Sequence, residues 1–473
     1  MPHRPSRNEL RISKVTEWGG QRKGFLLAVL LTFVMLQLLF LANMCLLYGS
    51  QYEDTQKTHK LHVLAVDYDG GIVGQALFAA YQRLKAPSFP TLDIQPASSY
   101  PDVKMIEHSI CKGDYWAAIY SLPGASSRLA AALQGSEATY NSSETLRYVW
   151  NEARYTTAEE SFVASNLETL VAMSRNMYAR VQGIPTTVNR SDSAALDAFS
   201  DPIRSSSINI KPTHQGTRVL YNSASMALSI VEQFFFIMVI NGISQSTELF
   251  SRLTPLTNGI IRHTLATAYT LTGSLCWTAY IWAYKEDWVL SGKQFMLIWL
   301  TGWMYMYINF LVLDLAAVFI AMQFMPFFVL TWIVSNITSS LTNFPLAAAF
   351  YRYGYAMPAH NWYQVFIHIV SGGNCYNRLY RALPVLLAWL AVGQVAIVPA
   401  TLHRCRLARL AEQHQAQMVV QASSADTVDK AISNTAVGEE SVEVLALEPF
   451  ESHKSQVYSP SMPLAFESLE GRL

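Results

Sequence analysis

The sequence predicts an α-helical polytopic membrane protein with six transmembrane helices and an α/β extracytoplasmic domain inserted between the first and second of them. Three observations predict it. Only 14% of the 473 residues are charged, against about 25% in an average soluble domain, so lipid is part of the solvent. Six apolar runs have the length a bilayer demands, about 20 residues for a hydrocarbon core of roughly 30 Å. Between the first two runs lies a polar, domain-sized stretch in which strand-like and helix-like patterns alternate.

The first run, residues 25–48, is uncharged and longer than the core of about 7 to 15 residues of a secretory signal. An uncleaved anchor is the better reading, with cleavage after Ser50 the alternative. Further runs cover 219–241, 263–284, 295–315, 319–341 and 383–402. The fourth and fifth are separated only by hints of a turn, Asp314, Gln323 and Pro326, but together they are far too long for one crossing helix.

Positive charge near the span ends sets orientation. Arg4, Arg7, Arg11, Lys14, Arg22 and Lys23 precede the first run, and Arg404, Arg406 and Arg409 follow the last. Both termini are therefore expected in the cytosol, with Arg252 and Arg262 in agreement and Lys285 and Lys293 weakly against. Residues 49–218 then face away from the cytosol, and the sequons at Asn141 and Asn189 fall inside them as expected glycosylation sites. A third sequon, at Asn336, is too close to a span to use. Five scattered cysteines make no disulfide framework or zinc spacing, and Cys111 with Cys375 is the pairing in which both could face an oxidising side.

Within the insertion, "LHVLAVDYD", "TLDIQPA", "YWAAIYS" and "ETLRYVWNEARY" read as strands, "GGIVGQALFAAYQRL" as a loop and following helix, and residues 102–111 and 126–134 as helices. A longer helix over 158–181 leads back toward the membrane. The resulting organisation is a basic cytosolic N-terminus (1–24), an anchor (25–48), the α/β domain (49–218), a five-helix membrane domain (219–402) with an interfacial segment near 345–373, and a cytosolic tail (403–473). The tail is expected to be helical at first and disordered beyond about Val420, where apolar residues become too sparse to offset ordering entropy.

Lys+Arg and Asp+Glu balance at 34 each, so no global field favours nucleic acid. No phosphate-binding loop, GxSxG elbow or HExxH occurs, and no cofactor or enzyme activity is expected. Asp67 and Asp69 end a strand and read as turn formers. Glu232 is the sharper feature, because a carboxylate midway along an apolar span costs a few kcal/mol unless it is protonated, paired or facing water. Proton coupling, binding of a cationic group and a polar contact between helices all remain open for it. Asp314 is a second candidate, read as reaching cytosol at the end of the fourth span. His360 and His368 lie eight residues apart, but a metal would need a third ligand. The segment from Phe350 to Phe366, rich in amphipathic rings and interrupted by Gly354 and Pro358, reads instead as a clamp at headgroup depth.

The stretch "WIVSNITSSLTNFPLAAAFYRYGYAMPAHN" resembles the corresponding segment of the fungal nitrosoguanidine-resistance membrane protein family. The resemblance is carried by Tyr351, Arg352, Tyr353, Gly354, Tyr355, Pro358, His360 and Asn361, and less closely by "LHVLAVDYDGGIVGQAL" and "GDYWAAIY". It implies one anchor helix, an external domain and five helices related to the permease part of type-2 ABC exporters and to bacterial phage-infection proteins. It also implies resistance to toxic compounds or secondary metabolites, by export or through membrane lipids. The expected partners are the lipid bilayer, a small-molecule substrate and, because permease relatives pair, a second copy of the chain. A multi-pass protein of the plasma membrane or an endomembrane follows. The rival expectation is a non-transporting sensor or organiser whose external domain binds a ligand or partner.

Overall fold

The computed structural model describes residues 7–135, 140–182, 188–213, 219–285, 289–373 and 378–435. Helix α1 (Arg7–Gly49) contains the first apolar run, whose leucines and phenylalanines are largely exposed, and Asn43 on it donates to the Thr331 hydroxyl at 3.3 Å. Beyond it the chain enters an α/β layer. Strand β1 (His62–Asp67) leads into α2 (Ile72–Leu84), β2 (Thr91–Gln95) into α3 (Val103–Lys112), and β3 (Ala117–Ser121) into α4 (Ala125–Leu133). β4 (Leu146–Trp150) is followed by the short α5 (Thr156–Ala158), a π-helical turn at Glu159–Ala164 and α6 (Ser165–Gln182). Then come α7 (Ser193–Ser200) and β5 (Ser205–Asn209).

The five strands order as β2-β1-β3-β4-β5, with β3–β4 antiparallel and the other pairs parallel. Val63, Leu64, Ala65 and Val66 are all fully buried, because helices cover both faces of a largely parallel sheet and leave no polar face to alternate. The strand and helix patterns predicted for this stretch therefore hold. β5 and α7 were not foreseen, since "SSSIN" carries one apolar residue and earns its place only by pairing with β4.

Among the described residues, five helices are long and apolar enough to cross a membrane: Leu26–Gly49, Leu220–Ser246, Gly292–Phe319, Met322–Leu341 and Leu379–Met418. They belong to α1, α8 (Ala224–Ser246), α11 (Gly292–Phe319), α12 (Met325–Leu341) and α14 (Leu379–Thr435). The third predicted span lies in α10 (Pro255–Ala283), which follows the single-turn α9 (Leu249–Arg252). α10 is 29 residues long but is not among the five. Arg262, His263 and a run of threonines dilute its apolar character.

Three corrections follow. The turn between the fourth and fifth spans lies at 320–324, so Asp314 stays inside α11 instead of reaching cytosol. α14 does not end near Val420 but continues to Thr435. No Pro or Gly interrupts residues 401–435, so nothing in that stretch breaks the backbone hydrogen-bond ladder. The remaining tail, 436–473, lies outside the described residues. Finally, the segment read as a headgroup clamp is a 3-10 helix (Ala349–Ala356) followed by α13 (Pro358–Val370), and α13 is buried on nearly every side. Trp362 is 1% exposed, and its ring packs on Trp277 at 4.5 Å and Phe366 at 5.2 Å. Protein, not headgroups, accommodates these rings, because neighbouring rings pack against them and the Tyr363 hydroxyl meets Thr156. Phe350 and Tyr355 keep the exposure expected of them.

Candidate functional site

The motif residues knot the 3-10 helix to α12 and α13. The Ala359 N–H, one of the orphan donors at the start of α13, donates to Asn336 Oδ1 at 3.1 Å. Asn361 Nδ2 donates to the Tyr355 and Met357 carbonyls, both at 2.8 Å. His360 Nδ1 donates to the Ser339 carbonyl at 3.2 Å, which fixes the tautomer with its proton on Nδ1. Gly354 lies against the Phe344 ring, 2.7 Å from where a Cβ would stand. Tyr351 closes over α1, its hydroxyl 3.5 Å from the Cys45 carbonyl. Pro358 is buried at the first turn of α13, Tyr353 is half-buried against Phe350, and Arg352 is exposed. The motif thus builds a junction; Asn336, fully buried, is no glycan acceptor, whereas Asn141 and Asn189 are exposed.

Above this knot the α/β layer meets the helices. A cavity of about 20 Å³ lies between Arg154–Thr156 on one side and Ser340, Asn343, His360, Tyr363 and Gln364 on the other, room for about one water. Thr156 Oγ1 and the Tyr363 hydroxyl are 3.0 Å apart across the seam. Burial, reinforced by the Arg378 charge and opposed by the Ser339 hydrogen bond, pushes the His360 imidazole down to about 3. One turn beyond Thr156, at the head of the π-helical turn, Glu159 is fully buried and neither carboxylate oxygen has a hydrogen-bond partner. Burial raises its carboxyl well above the usual range, against the opposing pull of Arg154 and Arg378. π-turns recur at functional positions. Glu159 escaped the sequence reading, yet the signal was there: it shares a helical stripe with Val163, Leu167 and Leu170, all buried.

Glu232 on α8 is half-buried and faces α10. Its carboxylate meets the Tyr269 hydroxyl and lies against Gly273, where any Cβ would overlap it. Phe236, one turn on, stacks on Tyr269 at 4.0 Å. The neighbouring Gln233 is fully buried, and neither atom of its amide has a partner. Between α11 and α12, Trp332 Nε1 donates to Asn309 Oδ1 at 2.9 Å.

Asp314 is 1% exposed and sits between two arginines from other helices. Arg262 on α10 donates through Nε to Oδ2 at 2.9 Å and through Nη2 to Oδ1 at 2.5 Å. Arg404 on α14 donates through Nη2 to the same Oδ1 at 2.8 Å and to the Asp314 carbonyl at 3.1 Å. Asn241 at the end of α8 accepts from Arg262 Nη2 at 2.7 Å. Beside this cluster His263 Nδ1 and Gln394 Nε2 share the Tyr307 hydroxyl, at 2.8 and 2.9 Å. Sequence spacing could not pair Arg262 and Arg404 with Asp314, 52 and 90 residues away. Glu232 and Asp314 are not brought together: they belong to separate clusters.

Asp67 and Asp69 serve the β1–α2 turn. Asp67 Oδ1 accepts from the Asp69 and Gly70 amides at 3.0 Å and from Ser121 at 2.5 Å, and Asp69 caps α4 through the Ser126 amide at 2.9 Å. No group of three or more His, Cys, Asp or Glu among the described residues is placed to hold a metal ion. Cys111 is disulfide-bonded, while Cys45, Cys276 and Cys405 are free thiols. Cys375 lies outside the described residues.

No solved structure matches this chain. Residues 32–395 match the family of proteins of unknown function designated DUF3533; spanning more than half of the sequence, from the anchor helix into α14, that match places the chain in this family.

Proposed function

We propose that the protein exports small toxic compounds or secondary metabolites across a plasma membrane or endomembrane, with Glu232 as the coupling or substrate-contacting group. The single observation that carries this reading is the placement of Glu232 at mid-helix, turned toward Gly273 and Tyr269 of a neighbouring helix. An ionisable group at that depth is costly to keep, and the Gly273 position spares it room that any side chain would remove. The resemblance of the 350–361 motif to the nitrosoguanidine-resistance proteins supports the same reading.

In this proposal α10 completes six crossings, the termini are cytosolic, and the α/β layer lies on the opposite side. The disulfide at Cys111 agrees with that side being oxidising, and the exposed Asn141 and Asn189 are there for glycosylation. The cavity of about 20 Å³ is far below the roughly 300 Å³ of a small-molecule site, so a substrate path requires the seam between layer and helices to open. The test is flux: purified protein in sealed vesicles should move a nitroso compound or a lipophilic toxin, and Glu232→Gln should lower both flux and cellular resistance at unchanged abundance. Vesicles that move no solute while the isolated protein still binds a ligand would favour the sensor reading.

A further inference from the structure

We propose that the Arg262–Asp314–Arg404 cluster is a binding site for a phosphate group, carried by a lipid headgroup or by a soluble phosphate. The charge count is the starting point. Two guanidinium groups share one carboxylate, and Asp314 is the one carboxylate hydrogen-bonded to either arginine among the described residues. The cluster therefore keeps one positive charge in excess. The Arg262 side chain is 7% exposed and that of Arg404 12%, so water screens that charge poorly, and a buried unbalanced charge is expensive.

The donor count points the same way. The Nη1 groups of both Arg262 and Arg404 are buried without a hydrogen-bond partner. Arginine presents its donors in a planar fork that matches phosphate oxygens two at a time. Because both side chains hold the same oxygen, Asp314 Oδ1, their unused donors belong to one locality and can converge on one anion. A phosphate there would balance the excess charge and satisfy both orphan groups.

The surroundings favour an anion. Arg406 and Arg409 are exposed within two turns of Arg404 on α14, adding positive potential nearby. Arg404, the more exposed of the two, lies over the Phe250 ring at 5.5 Å. Of the other titratable neighbours, His263 is engaged with Tyr307 and Cys405 accepts from Asn258.

Binding is read without solute movement, so failure of the export reading leaves the test intact. Full-length protein in alkyl maltoside micelles, which carry no phosphate, is given phosphatidic acid in one arm and inorganic phosphate in the other. Retention is followed by native mass spectrometry and the unfolding midpoint by fluorescence. Phosphatidic acid should be retained and raise the midpoint; Arg404→Lys, which keeps the charge but not the fork, should weaken retention about tenfold; and Arg406→Gln should change it little. Arg262→Lys provides the same comparison if the first variant does not fold. An equal midpoint rise with inorganic phosphate assigns the site to a soluble ligand. No retention in either arm, or weakening by Arg406→Gln equal to that by Arg404→Lys, overturns the proposal.

Discussion

Replacing Asp314 by Asn removes one negative charge while preserving size and an acceptor oxygen, and it should be among the most damaging single changes in the helices. Asp314 is 1% exposed and its partners 7% and 12%, so the two guanidinium groups left behind have little access to water. Breaking a pair of this kind costs about 3–5 kcal/mol, roughly two to four orders of magnitude in the folding equilibrium. The control is Glu248→Gln. Its pair with Arg252 is equally short, 2.7 Å, but 56% and 70% exposed, and such pairs contribute about 0–1 kcal/mol. Titrating both variants from mild into denaturing detergent, followed by tryptophan fluorescence, compares them directly. Combining Asp314→Asn with Arg404→Gln should recover part of the loss, because it returns the cluster from two excess positive charges to the one of the parent and the pair is coupled. An Asp314→Asn loss under about 1 kcal/mol, no larger than that of the control, would refute the argument that burial sets this energy.

Trp362→Ala should cost about 3–5 kcal/mol, as expected for emptying a buried aromatic site, whereas Phe350→Ala, at a position 69% exposed, should stay within about 0.5 kcal/mol; equal effects in the same titration would return α13 to the surface. Glu159→Gln should match the parent protein in acid and exceed it in stability at neutral pH. A carboxyl raised in the fold contributes stability that is present below its unfolded value, about 4.5, and lost as pH rises through the folded value. His360 carries the opposite sign: its contribution is complete above about 6.5 and falls as pH drops toward about 3, so stability of His360→Asn relative to the parent should improve on acidification. Gly273→Ala should displace the Glu232 carboxylate and reproduce the flux defect of Glu232→Gln with little change in the unfolding midpoint; normal flux would separate Glu232 from transport.

Properties read from consecutive residues were legible in the sequence. Apolar runs of bilayer length, the strand runs from His62 to Trp150 and the turn-forming Asp67 and Asp69 need only local hydrophobicity and backbone geometry. The mid-helix position of Glu232 was equally visible. Tertiary structure decided what depends on partners brought from far along the chain. Asp314 acquires two arginines from other helices, and the aromatic segment before α14 becomes interior because Asn336, Ser339, Tyr355 and Met357 satisfy its polar atoms. The polar strand β5 exists only through β4. The reason is common to all of them: a buried charge or amide costs least beside a partner, and periodicity marks which face is buried without naming what lies against it.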